Sequence, residues 1–113
     1  MALIQSEEEL PPEAHVAAKR GQLAELELQL EEHGNLVLTE RDEHGWQVLH
    51  QGVAGGNAEI VEFLIEHGAE INSRTHGGYG ETPLRIAEKR HGENSWIVHY
   101  LKKMGALSIG PEL

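Results

Sequence analysis

Eight histidines stand in this chain of 113 residues, enough to ask whether some of them hold a metal or move protons near neutral pH. A metal centre needs several ligands that converge. His15 and His50 are 35 residues apart, His44 and His76 fall in glycine-containing polar stretches, and His33 and His67 each precede a glycine. None belongs to a His-Glu-x-x-His pair, and no Gly-x-Ser-x-Gly elbow is present. Ser6, Ser73, Ser95 and Ser108 have no recognisable base partner. Gly77-Gly78-Tyr79-Gly80 is glycine-rich, but the Gly-Lys-Ser/Thr of a phosphate loop does not follow it. With no cysteine, a thiol nucleophile, a disulfide and Cys-ligated zinc are all excluded. We therefore expect no catalytic residue, no metal site, no cofactor and no enzymatic activity. A histidine-dependent pH or metal response stays open as an alternative.

Charge narrows the partners. Nineteen acidic residues oppose nine basic ones, a formal net charge of −10. Phosphate backbones and anionic membranes need a basic footprint, so neither nucleic acid nor membrane is an expected partner. The opening MALIQSEEELPPE lacks the basic and apolar regions of a secretory signal. No apolar run approaches the ~18–20 residues of a membrane span. These features lead us to expect a cytoplasmic or otherwise intracellular protein of one domain, although a segment cut from a larger chain would read the same.

The elements that position these residues repeat along the chain. GWQVLHQGVAGGNAEIVEFLIEHGAEIN (45–72) aligns with GETPLRIAEKRHGENSWIVHYLKKMGAL (80–107). Gly45, Leu49 and His50 pair with Gly80, Leu84 and Arg85 at a spacing of 35. Val61, Leu64 and Gly68 pair with Val98, Leu101 and Gly105 at 37, so about two residues are inserted around His91–Ser95. A third copy, AHVAAKRGQLAELELQLEEHGN, occupies 14–35. Each copy reads as two short helices separated by Gly21, Gly56 or Gly92. Leu23, Leu26 and Leu30 form one face of the first copy's second helix; Ile60, Val61, Leu64 and Ile97, Val98, Leu101 do so in the others. Pro11 and Pro12 can open the first helix, and Asn94 or Ser95 can cap the last. Gly34, Gly68 and Gly105 stand where a helix wants a left-handed C′ residue. The linking stretches NLVLTERDEHG (35–45) and EINSRTHGGYG (70–80) read as short extended excursions or hairpins.

Two helices and a projecting loop at a period of 35 resemble the ankyrin repeat. DEHGWQVLHQGVAGGNAEIVEFLIEHGAEIN (42–72) resembles a whole unit, and TPLRIAEKR (82–90) matches the family's Thr-Pro-Leu helix opening. The resemblance implies an all-α solenoid of stacked helix-turn-helix units with projecting β-hairpin loops. Units span about 12–41, 42–74 and 75–107, within a repeat domain of 12–107. An acidic lead (1–11) and a tail (108–113) flank it and could cover the ends of the stack. Gln47 and Val48 depart from Thr-Pro, and Arg85 stands where a histidine is usual. The resemblance also implies that His15 and His50 bond to backbone and tie neighbouring units. A single unit cannot bury its apolar stripe alone, so neighbours must bury it between them.

The family resemblance implies a non-catalytic protein–protein interaction module, binding a partner protein or peptide through hairpin tips and a concave groove. Trp46 resembles a partner-contacting position, although packing over a neighbouring loop would explain it equally. Lys19-Arg20 and Lys89-Arg90 occupy matching slots 70 residues apart, with Ala54-Gly55 between them. By family geometry these slots and Arg85 face the groove, while Glu43, His44, Tyr79 and Glu81 stand at the tips. The second-helix glutamates face the opposite side. An acidic or phosphorylated peptide, or an acidic helix, is the expected ligand; pairing of the bases with nearby glutamates is the competing account. A monomer is expected. Alternatives are a regulatory or targeting domain from a larger multidomain enzyme, and a self-associating scaffold.

Overall fold

The computed structural model describes residues 13–78 and 80–108. In order, its helices are α1 (Glu13–Arg20), α2 (Leu23–His33), α3 (Leu36–Thr39), α4 (Val48–Gly55), α5 (Ala58–Glu66), α6 (Thr75–Gly78), α7 (Pro83–His91) and α8 (Trp96–Lys103). Within each unit the two main helices pack on each other: α1 on α2, α4 on α5, α7 on α8. Between units α1 packs on α4, α4 on α7, and α5 on α8. This is the stacked helical solenoid expected from the repeats.

The stack follows from the apolar spacing. Ala14, Ala17 and Ala18 on α1 are buried, as are Val48, Leu49 and Val53 on α4 and Leu84, Ile86 and Ala87 on α7. Behind them lie Leu26, then Ile60, Val61 and Leu64, then Ile97, Val98 and Leu101. All belong to one continuous core cluster. Small residues let the first helices approach closely. A Cβ on Gly55 would fall 2.1 Å from the Lys19 carbonyl oxygen, so only glycine fits that contact between α1 and α4.

Helix ends obey local chemistry. The Thr82 hydroxyl accepts from the Arg85 amide (3.2 Å) with Pro83 directly inside the helix. Ser95, rather than Asn94, caps α8 by accepting from the Val98 amide at 3.3 Å. Gly34, Gly68 and Gly105 all have positive φ after the second helices, where glycine is favoured; Gly34, with ψ −153°, lies outside the left-handed region that the sequence suggested. Pro11, Pro12, the acidic lead and Tyr79 lie outside the described residues, as does the tail beyond Ser108.

The loops depart from the expected hairpins. Among the described residues there is no strand. Leu36–Thr39 is a helical turn, not an extended excursion. Val37 and Leu38 are adjacent yet both buried. A strand would point neighbours to opposite faces, whereas a helical turn packed between α2 and α4 can bury both. The first tip then closes as a tight turn: Gly45 donates to the Asp42 carbonyl (2.9 Å), and Asp42 to that of Trp46 (2.8 Å). Thr75–Gly78 is likewise helical.

The insertion at 91–95 lengthens the turn between α7 and α8 and supplies a bond. His91 Nε2 lies 2.7 Å from the Val53 carbonyl on α4. One layer earlier, Asn57 Nδ2 donates to the Lys19 carbonyl on α1 at 3.2 Å. Each later unit thus bonds a carbonyl in the last turn of the preceding first helix; that of Val53 also accepts the Gly56 amide at 3.0 Å. No helix of the described residues is long and apolar enough to cross a membrane.

Candidate partner-binding groove

The side chains that build the site are held by bonds between layers. His15 and His50 each occupy the third position of their helices, as Arg85 does on α7. His15 Nε2 lies 3.1 Å from the Trp46 carbonyl, fixing the start of the second unit to the first. His50 accepts the Gln47 amide at Nδ1 (2.9 Å), so its Nε2 carries the proton and donates to the Ser73 carbonyl at 2.8 Å. Its pKa is pushed down to about 4. Burial is the chief cause; the bond to Ser73 and the charges of Asp42 and Glu70 oppose it, and the Arg41 cation adds to it. The backbone ties implied for both histidines are present. Arg85 at the third matching slot is exposed and pairs instead with Glu88, 3.6 Å away.

Two residues that sequence reasoning passed over organise the tips. Asp42 Oδ1 accepts the amides of His44 (2.8 Å) and Trp46 (3.0 Å), and its Oδ2 accepts from Gln51 (2.9 Å). Burial alone would raise the Asp42 carboxyl, but these bonds and the nearby His15 hold it below its ordinary value. An aspartate two residues before a turn residue is a legible Asx-turn signal. Arg41 donates to the carbonyls of Gly45 (2.7 Å) and Arg74 (2.8 Å) and to the Ser73 hydroxyl (3.0 Å). It joins the first tip to the base of the second. The tips also touch directly: His76 donates its amide to the Gly45 carbonyl at 3.0 Å.

This scaffold opens a groove of about 350 Å³ lined by Lys19, His44, Trp46, Gln51, Ala54, His76 and Arg90. Residues of all three units share it. The Arg90 guanidinium stands over the Trp46 ring, 5.9 Å from its centroid, a cation–π arrangement across the layers. Trp46 also meets His50 edge-on at 6.0 Å.

The groove brings together Lys19, His44, Trp46, Ala54 and Arg90, joined by His76 and Gln51; His44 was expected at a tip. The remaining candidates are placed differently. Arg20 is exposed and does not line the groove. Gly55 serves the close contact with the Lys19 carbonyl. Glu43 is exposed and lies 3.4 Å from His44. Lys89 and Glu81 form an ion pair with each other. Tyr79 lies outside the described residues. Among those residues no group of three or more histidine and acidic side chains is placed to hold a metal ion.

The family model for ankyrin repeats, in three copies, matches residues 14–109. The chain belongs to the ankyrin-repeat family. It is 31% identical over 122 residues to human Rabankyrin-5, with 92% of this chain and 10% of that protein covered. It is 38% identical over 65 residues to the rat ankyrin repeat and SAM domain-containing protein 6, covering 57% of this chain and 7% of the relative. The chain thus spans a tenth or less of the length of these relatives. Among solved structures, it is similar to a chain of the complex of the predatory endopeptidase Bd0816 from Bdellovibrio bacteriovorus with the immunity protein Bd3460. The TM-score is 0.74 at 27% identity, covering 88% of this chain and 49% of that one. Ankyrin repeats are in general protein–protein interaction modules.

Proposed function

We propose that this chain is a non-catalytic binding module that holds a partner protein or peptide in the groove beside its first helices and loop tips. The observation that carries this reading is the convergence of Lys19, Trp46, Ala54 and Arg90, from three successive units, on one groove. A solenoid gains such a composite surface because neighbouring layers present matching positions side by side. Trp46 is the anchor: it is large, half-buried and rigidly tied through its backbone to Asp42 and His15. Preorganised aromatic side chains of this kind dominate binding energies at interfaces. The solved neighbour, itself part of a two-protein complex, supports a binding role.

The test is affinity capture with the intact chain and with Trp46→Ala, followed by titration of the purified partner. Truncation of the anchor is expected to weaken the partner's affinity by about thirtyfold, the loss of roughly 2 kcal/mol typical of a hot spot. A partner held equally by both forms would place binding elsewhere on the molecule.

A further inference from the structure

We infer that the groove selects a carboxylate-rich peptide segment, with an aliphatic side chain seated on Trp46 and Ala54 and acidic side chains reaching Lys19 and Arg90. This deepens the reading just given and rests on it. The inference comes from the local reversal of charge. The chain carries a formal net charge of −10. Yet the described residues lining the groove include two cations and two histidines and no carboxylate.

Local pairing separates the available cations from the committed ones. Lys89 is taken by Glu81, and Arg85 by Glu88. Among the described residues Lys19 and Arg90 take part in no ion pair. Arg90 lies over the Trp46 face, which orients its guanidinium without neutralising it. Two acids stand on the adjoining tip. Asp42 is bonded to two amides and Gln51, and Glu43 lies beside His44. A carboxylate entering the groove would meet donors on two sides. On such an acidic molecule, an anionic segment would be repelled elsewhere and focused here. The volume is at the lower end of the ~300–1,000 Å³ range of ligand sites, which suits a few side chains of a peptide.

The experiment is panning of a phage-displayed random decapeptide library, at low salt, against the chain, Trp46→Ala, and the double variant Lys19→Gln, Arg90→Gln. Both substituted cations are exposed, and melting curves check that the variants fold. Selected peptides are then synthesised with a terminal fluorophore and titrated with each form by fluorescence anisotropy, a readout that does not depend on Trp46. Enrichment in Asp and Glu, with about tenfold weaker binding to the double variant and a further loss on adding salt, supports the inference. Peptides that lose affinity with Trp46→Ala but carry no acidic enrichment would overturn it and leave the groove as the binding site. Peptides indifferent to Trp46→Ala would overturn both.

Discussion

His50 donates from Nε2 to the Ser73 carbonyl at 2.8 Å, across the span that separates the start of α4 from the base of the second tip. The ring is fully buried, and its other nitrogen is occupied by the Gln47 amide. A proton added at Nδ1 would have to displace that amide and create a charge out of reach of water.

The first prediction concerns acid. His50 takes up a proton near 6.5 in the unfolded chain and only near 4 in the folded one. Between those values the unfolded state binds more protons. The contribution of neutral His50 is therefore intact above 6.5 and is lost as pH falls towards 4. The gap is equivalent to about 3 kcal/mol. Urea unfolding of the native chain and His50→Gln across this range checks it. The native chain should lose about 3 kcal/mol more than the variant; parallel stability curves would reject the role of His50.

The second prediction arises from a polar residue in an apolar slot. Gln29 stands 35 residues before Leu64, and in the position that Leu101 takes in the last unit. Both leucines are fully buried, and Gln29 is only 6% exposed. Its Nε2 donates to Glu25 at 2.9 Å, but its Oε1 has no hydrogen-bond partner. Gln29→Leu removes that unmet acceptor and adds apolar burial, so it should stabilise by about 1–2 kcal/mol. A lowered urea midpoint would show that Gln29 is better satisfied than its surroundings indicate.

The fold was legible because the repeat states the same physics three times. Leu49 and Leu84, then Val61 and Val98, fall on matching faces and are buried together. Gln29 was missed because one polar residue between Leu26 and Leu30 looks like the exposed side of an amphipathic helix; only its repeat register places it inside. The loops were misread because Val37 favours a strand locally, while packing between α2 and α4 decides the conformation. Slot matching pairs Lys19 with Lys89 and Arg20 with Arg90, yet the groove takes Lys19 and Arg90, one from each slot; the matching could not see that Lys89 would close on Glu81. That pairing depends on a tip position eight residues away, outside helical periodicity. Arg41 was passed over because it works mainly through backbone carbonyls, which leave no mark in a residue pattern; Asp42 carried a readable Asx-turn signal that matching of repeats and charged slots does not use.

Gly55 gives a prediction in which two effects oppose each other. In the interior of an exposed helix, glycine to alanine gains about 1 kcal/mol of helix propensity. Here the new Cβ would lie 2.1 Å from the Lys19 carbonyl oxygen, a backbone atom that cannot swing aside. Separating α1 from α4 would also strain the Asn57 bond to that carbonyl. Overpacking of this type costs about 1–3 kcal/mol or more, so Gly55→Ala should be net destabilising. An increase in stability by calorimetry would mean that the first helices can slide apart freely.

Lys89 and Arg90 are neighbours in sequence, and the final prediction separates them. Lys89 forms an exposed ion pair with Glu81, and such pairs contribute about 0–1 kcal/mol. Lys89→Gln should therefore leave stability within about 0.5 kcal/mol. It should also leave groove binding largely intact, because the charge it removes is already neutralised. Arg90 has no carboxylate partner among the described residues, and its guanidinium covers one face of Trp46. Arg90→Gln should change the emission of Trp46 in a Trp96→Phe background and lower the affinity for an acidic peptide about five- to tenfold. Stability should change little, since the cation–π contact is at a partly exposed site worth about 0.5–1 kcal/mol. Equal effects of the two substitutions on peptide affinity would mean that the ion pair opens on binding, and that the charge of the whole helix end acts rather than Arg90 alone.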